Sequence, residues 1–188
     1  MPDRMVYLDN NATTPLHPGV KEAMREGLDI YGNAASFHTF GRKARKKLEK
    51  ARENIAGFIG AEPEEIIFAG SGSEANNTVL NIFSWSCSKA ETCTSCGHGK
   101  GIVTSAIEHP CIMETSKCLN ERGVKVLYTG VDKNGRIDMD DLKDKIADDI
   151  GLVSIMTANN EIGTIQDIAS ISSFVHEKGL LIHTDAVQ

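Results

Sequence analysis

From Ile66 to its last residue the sequence repeats one pattern: a short apolar run, a small-residue or polar turn, then apolar residues at helical spacing. That alternation leaves few folds open, because short apolar runs bounded by turns read as buried strands and a 3.6-residue period reads as a helix. The runs are Ile66 to Phe68, Ile102 to Thr104, Val124 to Tyr128, Leu152 to Met156 and Leu180 to Ile182. Helical spacing between them is carried by Ala75, Val79, Ile82 and Phe83, then by Ile112, Thr115 and Leu119 with Gly123 placed to stop it. It continues through Met139, Leu142 and Ile146 after the Asn134-Gly135 turn, and through Ile171, Phe174 and Val175. The repetition predicts an α/β protein with a mostly parallel sheet, helices on both faces, and ligands at the carboxyl ends of the strands. Two helices are expected ahead of this region. Val20, Ala23, Met24, Gly27 and Leu28 follow Pro18 and end near Gly32, and Ala44, Leu48, Ala51 and Ile55 line a second, basic helix.

Composition narrows the function. A chain of 188 residues with 40% hydrophobic and 24% charged residues is an ordinary globular mixture with enough apolar surface for a core. A formal charge of −6 argues against a nucleic-acid partner. The basic run Arg42 to Arg52 reads as the water-facing side of an amphipathic helix, with a partner-binding stripe as the alternative. No apolar run approaches the ~20 residues of a membrane span, so no membrane partner is expected. The N-terminal MPDRMVYLDNN lacks the apolar core of a signal peptide, and a cytoplasmic location is expected. Five cysteines, an odd number, read as reduced thiols rather than a disulfide framework.

In a parallel sheet the residues after each strand share one cleft, and here those residues are GSGSEANN, IEHP, TANNEIG and HTDAVQ. The small residues Gly70 to Ser73 let backbone N–H groups approach an anion, with the next helix N-terminus and the Ser73 hydroxyl adding to a phosphate site. The same residues also make an ordinary turn with a serine cap. Asp185 can cap a following helix, Asn160 can close an Asx turn, and His109 can be a polar loop residue. Taken together they supply a phosphate cradle, a flat group against a ring, a carboxylate for a pyridine nitrogen and amide donors for a phenolate oxygen. Pyridoxal phosphate needs that set.

YLDNNATTP, YGNAASFHTFG, IIFAGSGSEANN, IVTSAIEHP, SIMTANNEIGTIQDI and HTDAVQ, in this order, resemble the N-terminal half of the cysteine desulfurases of the NifS/IscS kind. These are class V, fold-type I pyridoxal-phosphate enzymes that take sulfur from L-cysteine, leaving alanine and an enzyme persulfide. The resemblance implies that His109 stacks on the pyridine ring and that Asp185 pairs with the ring nitrogen. It implies that Asn160 and Gln188 approach the phenolic oxygen and that Gly72 and Ser73 hold the phosphate. The family pattern usually has Thr where this chain has Ser73, which keeps the hydroxyl. A carboxylate at the ring nitrogen favours its protonated form, so Asp185 sets the electron sink. His109 either stacks only or also moves a proton, as a neutral imidazole can near neutral pH. Asn33 and Asn10 to Thr14 resemble parts of the substrate pocket, without an assigned chemical role.

The resemblance further implies that residues 1–15 join a small domain and that 16–188 form part of the cofactor-binding large domain. It implies a homodimer when complete, and a sulfur-acceptor or scaffold protein as partner for iron-sulfur cluster or other sulfur delivery. The family's Schiff-base lysine and persulfide-forming cysteine lie beyond HTDAVQ, and none of Cys87, Cys93, Cys96, Cys111 or Cys118 occupies the cysteine's motif. Its later strands run between the Ile66 to Phe68 strand and the Leu180 to Ile182 strand, so this chain alone is expected to be poorly ordered and inactive. Selenocysteine lyase or another class V lyase is the alternative activity. An inactive fragment, or one half of a split enzyme acting as a partner-binding chain, is the alternative of another class. A cysteine-containing loop at 84–101 departs from the family. Its Cys87, Cys93, Cys96 and His98 can be read as a Cys₃His zinc site or as reduced thiols in a polar loop, and no metal ligand is assigned.

Overall fold

A computed structural model describes residues 5–84 and 101–188. The zinc reading of Cys87, Cys93, Cys96 and His98 therefore lies outside the described residues. The chain divides into two units, Met1–Phe68 and Ala69–Gln188.

In the first unit, α1 (Pro18–Leu28) begins with proline at its first turn and is capped by His17, whose Nδ1 accepts the Gly19 amide at 3.2 Å. It ends at Leu28, short of the glycine expected to stop it. Gly32 instead serves a close approach: its φ is +134°, and a Cβ there would lie 2.8 Å from the Phe40 carbonyl carbon. The basic helix α2 (Thr39–Ile59) has His38 as its cap and closes on Gly60 in the left-handed conformation, whose N–H bonds the Ala56 carbonyl. Tyr31 stacks on Phe40 with ring centroids 4.9 Å apart.

The expected strand Ile66 to Phe68 is absent. A 3₁₀ turn at Pro63–Glu65 leads into these residues, but no described strand pairs with them. The Arg52 guanidinium takes the Ile66 carbonyl, and the same guanidinium lies 5.0 Å from the centre of the Phe68 ring. Ile67 is 88% exposed. An apolar run becomes a strand only where a neighbour accepts its ladder of bonds.

The second unit is a four-stranded, all-parallel sheet in the order β2-β1-β3-β4. The strands are β1 (Gly101–Ser105), β2 (Val126–Thr129), β3 (Ile150–Ser154) and β4 (Leu181–His183). The helices are α3 (Gly72–Ser84), α4 (Pro110–Glu121), α5 (Met139–Lys145) and α6 (Ile168–Glu177). β2 starts two residues later than the apolar run because the Val124 amide closes α4 onto the Leu119 carbonyl at 3.0 Å, after Gly123 at φ +89°.

From Ile102 and Leu152 onward consecutive residues of the central strands face opposite sides, and the register shift between Gly101 and Ile102 puts Ile150 on the side of Val153. Ile102 and Leu152 pack with Leu80, Ile112, Leu119 and Val126 under α3 and α4. Val103 and Val153 pack with Leu142, Ile150, Ile155, Ile171 and Val175 under α5 and α6. Each such buried side chain contributes about 1.5–3 kcal/mol, and the parallel pairing puts all four strand exits at the same end of the sheet. β4 lies at the edge of the sheet, with Leu181 58% exposed. Among the described residues no helix is long and apolar enough to cross a membrane.

Candidate functional site

Three strand exits and one helix start meet at the carboxyl end of this sheet. Two of those exits, after β1 and after β4, and the start of α3 line a cavity of about 170 Å³ among Gly72, Ser73, Asn76, His109, Cys111 and Asp185. Four of the six residues expected from the sequence, Gly72, Ser73, His109 and Asp185, thus line one cavity. Asn160 lines a neighbouring cavity of about 360 Å³ that also touches His109, and Gln188 is exposed and lines neither. A larger cavity of about 620 Å³ lies at the amino ends of β3 and β4, between Lys143, Asp148, Phe174 and Lys178. Size favours that one and chemistry the smaller, since ligands in open α/β sheets sit at the carboxyl ends.

α3 starts with a reciprocal cap. Ser71 Oγ accepts the Glu74 amide at 3.1 Å, and the Glu74 carboxylate accepts the Gly70 amide at 2.6 Å. The serine cap that the sequence allowed is therefore Ser71, and the Ser73 hydroxyl is left for another partner. The amides of Gly72 and Ser73, in the first helical turn, have no intrahelical acceptor. A Cβ at Gly72 would come within 2.9 Å of Val187 Cγ2, so a larger residue would occupy the cavity wall.

His109 caps α4, with Pro110 at the first helical position. Its Nδ1 accepts the Cys111 amide at 3.1 Å, so the proton of the neutral ring sits on Nε2. Asp185 is half-buried. Its Oδ2 accepts from Asn76 Nδ2 at 2.8 Å and its Oδ1 from the Val187 amide at 3.0 Å, and its carbonyl takes the Thr157 amide at 2.8 Å. Both carboxylate oxygens are thus fixed by donors.

Several residues of the site were not singled out by sequence. Asn76, buried, orients Asp185 and also lies 3.4 Å from Cys111 Sγ. The Asx turn foreseen at Asn160 belongs to its neighbour: buried Asn159 accepts the amides of Glu161 and Ile162 and donates to the Ile107 carbonyl at 2.8 Å. Asn160 is half-buried, with Nδ2 3.2 Å from Glu161 Oε1. Glu108, beside His109, is buried and accepts from Ser105 Oγ and from the Met156 amide. Desolvation pushes its carboxyl up to about 7, the Ser105 and Met156 donors pull it back, and the charge of Asp185 adds to the rise. His183, bonded to Ser154 Oγ at 2.9 Å, is held below the usual imidazole range by burial, which the charge of Asp185 partly offsets. No signal in the sequence distinguishes these buried polar residues from surface ones.

Residues 6–188 match the family described as aminotransferase class-V. The chain is 44% identical over 186 residues to the cysteine desulfurase IscS of Dictyoglomus turgidum, covering 98% of this chain and 45% of that protein. It is 40% identical over 187 residues to an IscS-like cysteine desulfurase of Mycobacterium tuberculosis, covering 98% of this chain and 46% of that one. Among solved structures, a NifS-like protein superposes with a TM-score of 0.85 at 39% identity, over 95% of this chain and 48% of the other. A structure described as SspA in complex with cysteine superposes at 0.84 and 33% identity, over 95% and 49%. The chain spans about half the length of the curated relatives it matches.

Proposed function

We propose, from the premise that the chain belongs to the aminotransferase class-V family, that the cavity at its sheet end serves cysteine desulfuration with pyridoxal phosphate. The reaction takes sulfur from L-cysteine and leaves alanine and an enzyme-bound persulfide. The sulfur then goes to an acceptor or scaffold protein, for iron-sulfur cluster assembly or another sulfur-using route. The support is the similarity to cysteine desulfurases and one solved neighbour described with cysteine bound.

The residues present suit the cofactor. The acceptor-free amides of Gly72 and Ser73, with the Ser73 hydroxyl, suit a phosphate at the start of α3. His109 offers a neutral ring, and Asp185 offers a carboxylate held by Asn76 and the Val187 amide. In this reading Asn160 and Gln188 serve the phenolic oxygen. When bound, the cofactor supplies an electron sink for charge developing at the substrate Cα. Asp185 keeps the ring nitrogen protonated, and Asn76 fixes the direction from which it does so. His109 holds its proton at Nε2, where it can stack, donate, or both. Residues 1–15 belong in this reading to a small domain, and the active assembly is a homodimer.

The observation that carries this proposal is the gathering of Gly72, Ser73, His109 and Asp185 around one cavity. Titration of the full-length protein, stripped of cofactor, with pyridoxal phosphate, followed by absorbance, is expected to saturate, and Asp185→Ala to weaken binding at least tenfold. The complete gene product is expected to release sulfide from L-cysteine, and the same substitution to abolish that release without unfolding the protein. Unsaturable binding, or normal turnover in Asp185→Ala, defeats the proposal.

A further inference from the structure

Two carboxyl groups lie at the carboxyl end of the sheet, where the charge of Asp185 is felt by Glu108, and their surroundings differ. Asp185 spreads its charge over two oxygens that each accept a hydrogen bond. Glu108, 6% exposed, takes both of its donors on one oxygen: the Ser105 hydroxyl at 2.5 Å and the Met156 amide at 2.9 Å both reach Oε1. Its Oε2 is buried without a donor. An ionised Glu108 would leave half its charge on that oxygen, in the interior and uncompensated, which is costly. A proton on Oε2 removes the charge and preserves both bonds at Oε1.

The groups around Glu108 point the same way. Ser105 faces it from the end of β1, the Met156 amide from beyond β3, and Asp185 from beyond β4. Among the described residues no lysine or arginine pairs with it. Of two neighbouring acids in unlike environments, the one with donors on both oxygens keeps the charge and the desolvated one keeps the proton.

We propose that Glu108 is a positioning residue of this site: a neutral carboxylic acid that locks the tip of β1 onto the tip of β3, fixes His109 next to it, and leaves the negative charge to Asp185. The Asn159 bond to the Ile107 carbonyl reinforces the same junction one residue earlier. The inference rests on the reading of His109 and Asp185 as cofactor-facing groups, and it adds the group that sets their places.

The experiment compares the full-length protein with its Glu108→Gln and Glu108→Ala variants. Glutamine keeps the shape and the acceptor oxygen and is neutral at every pH, whereas alanine removes the junction. Carbon-13 NMR of the wild-type side-chain carboxyls should show one that titrates near pH 7 and is missing from Glu108→Gln. Urea unfolding should show the wild-type folding constant falling about a hundredfold relative to Glu108→Gln between pH 4.5 and 7, then levelling. Glu108→Gln should bind pyridoxal phosphate as the wild type does at pH 6, and Glu108→Ala should bind it at least tenfold more weakly. A Glu108 carboxyl already ionised at pH 5.5 overturns the proposal even if pyridoxal phosphate binds normally. So does a Glu108→Gln protein as unstable as Glu108→Ala at every pH. Absent pyridoxal-phosphate binding in the wild type overturns the functional reading, and the positioning role with it, whatever the carboxyl titration shows.

Discussion

At the scale of single residues, the site depends on groups that orient other groups. Of the two donors that hold the Asp185 carboxylate, the one side-chain donor is Asn76 Nδ2 at 2.8 Å, beside the Val187 amide at 3.0 Å. Removing a buried donor from a charged acceptor costs about 1.5–3 kcal/mol. Asn76→Ala is therefore expected to weaken pyridoxal-phosphate binding by tenfold or more, read by absorbance titration. Ser73→Ala should cost less than tenfold, because the backbone donors beside it remain; equal losses in the two variants would refute this ranking. The sequence showed the residues that present unusual chemistry at strand ends, such as Asp185 and His109, because residue type and position sufficed. It did not show Glu108 or Asn76, because what distinguishes them is burial. A glutamate in IEHP and an asparagine in SEANN look like surface residues until the packing is known. The choice between Asn159 and Asn160 was hidden for the same reason, since adjacent residues leaving a strand point opposite ways and nothing in the letters says which points in.

At the scale of elements, His109 combines two duties, capping α4 and presenting a ring, and substitution can separate them. Asparagine is a good N-cap, so His109→Asn should leave α4 intact while His109→Ala loses about 1 kcal/mol of stability. Both should bind pyridoxal phosphate poorly if the ring is what matters. Circular dichroism with cofactor titration checks this, and normal affinity in His109→Asn would refute the stacking role. The elements that the sequence foretold were those whose pattern and partners both lie within the described residues, as with β1 and β3 beneath α4 and α6. Ile66 to Phe68 has the composition of a strand and no neighbour to pair with, so propensity alone misled. Val124 has a strand's side chain but lies outside β2, because its amide closes a helix instead of joining a ladder.

At the scale of the molecule, a buried and a half-buried titrating group at one end of the sheet give stability opposite dependences on pH. Glu108 has its carboxyl raised from 4.5 to about 7, so the folded state binds the proton more tightly and stability falls as pH rises across that window. His183 is depressed from 6.5, so its contribution is present above that value and lost as pH falls below it. Glu108→Gln should therefore unmask a stability that climbs with pH to about 6.5 and then stays level, as urea unfolding at stepped pH would record; a continued decline above pH 6.5 would contradict it. Among the described residues no strand pairs with the outer edge of β4, beside the exposed Leu181, an arrangement that invites further strand pairing. Amide exchange should find β4 far less protected than β1, and equal protection would mean that the edge is covered. One small feature ties this end of the sheet together. Met156 and Thr157 give their amides in opposite directions, to the Glu108 carboxyl and to the Asp185 backbone. That peptide pair is a crossbar: the exit of β1, which carries His109, and the exit of β4, which carries Asp185, are both tied to the same two residues beyond β3.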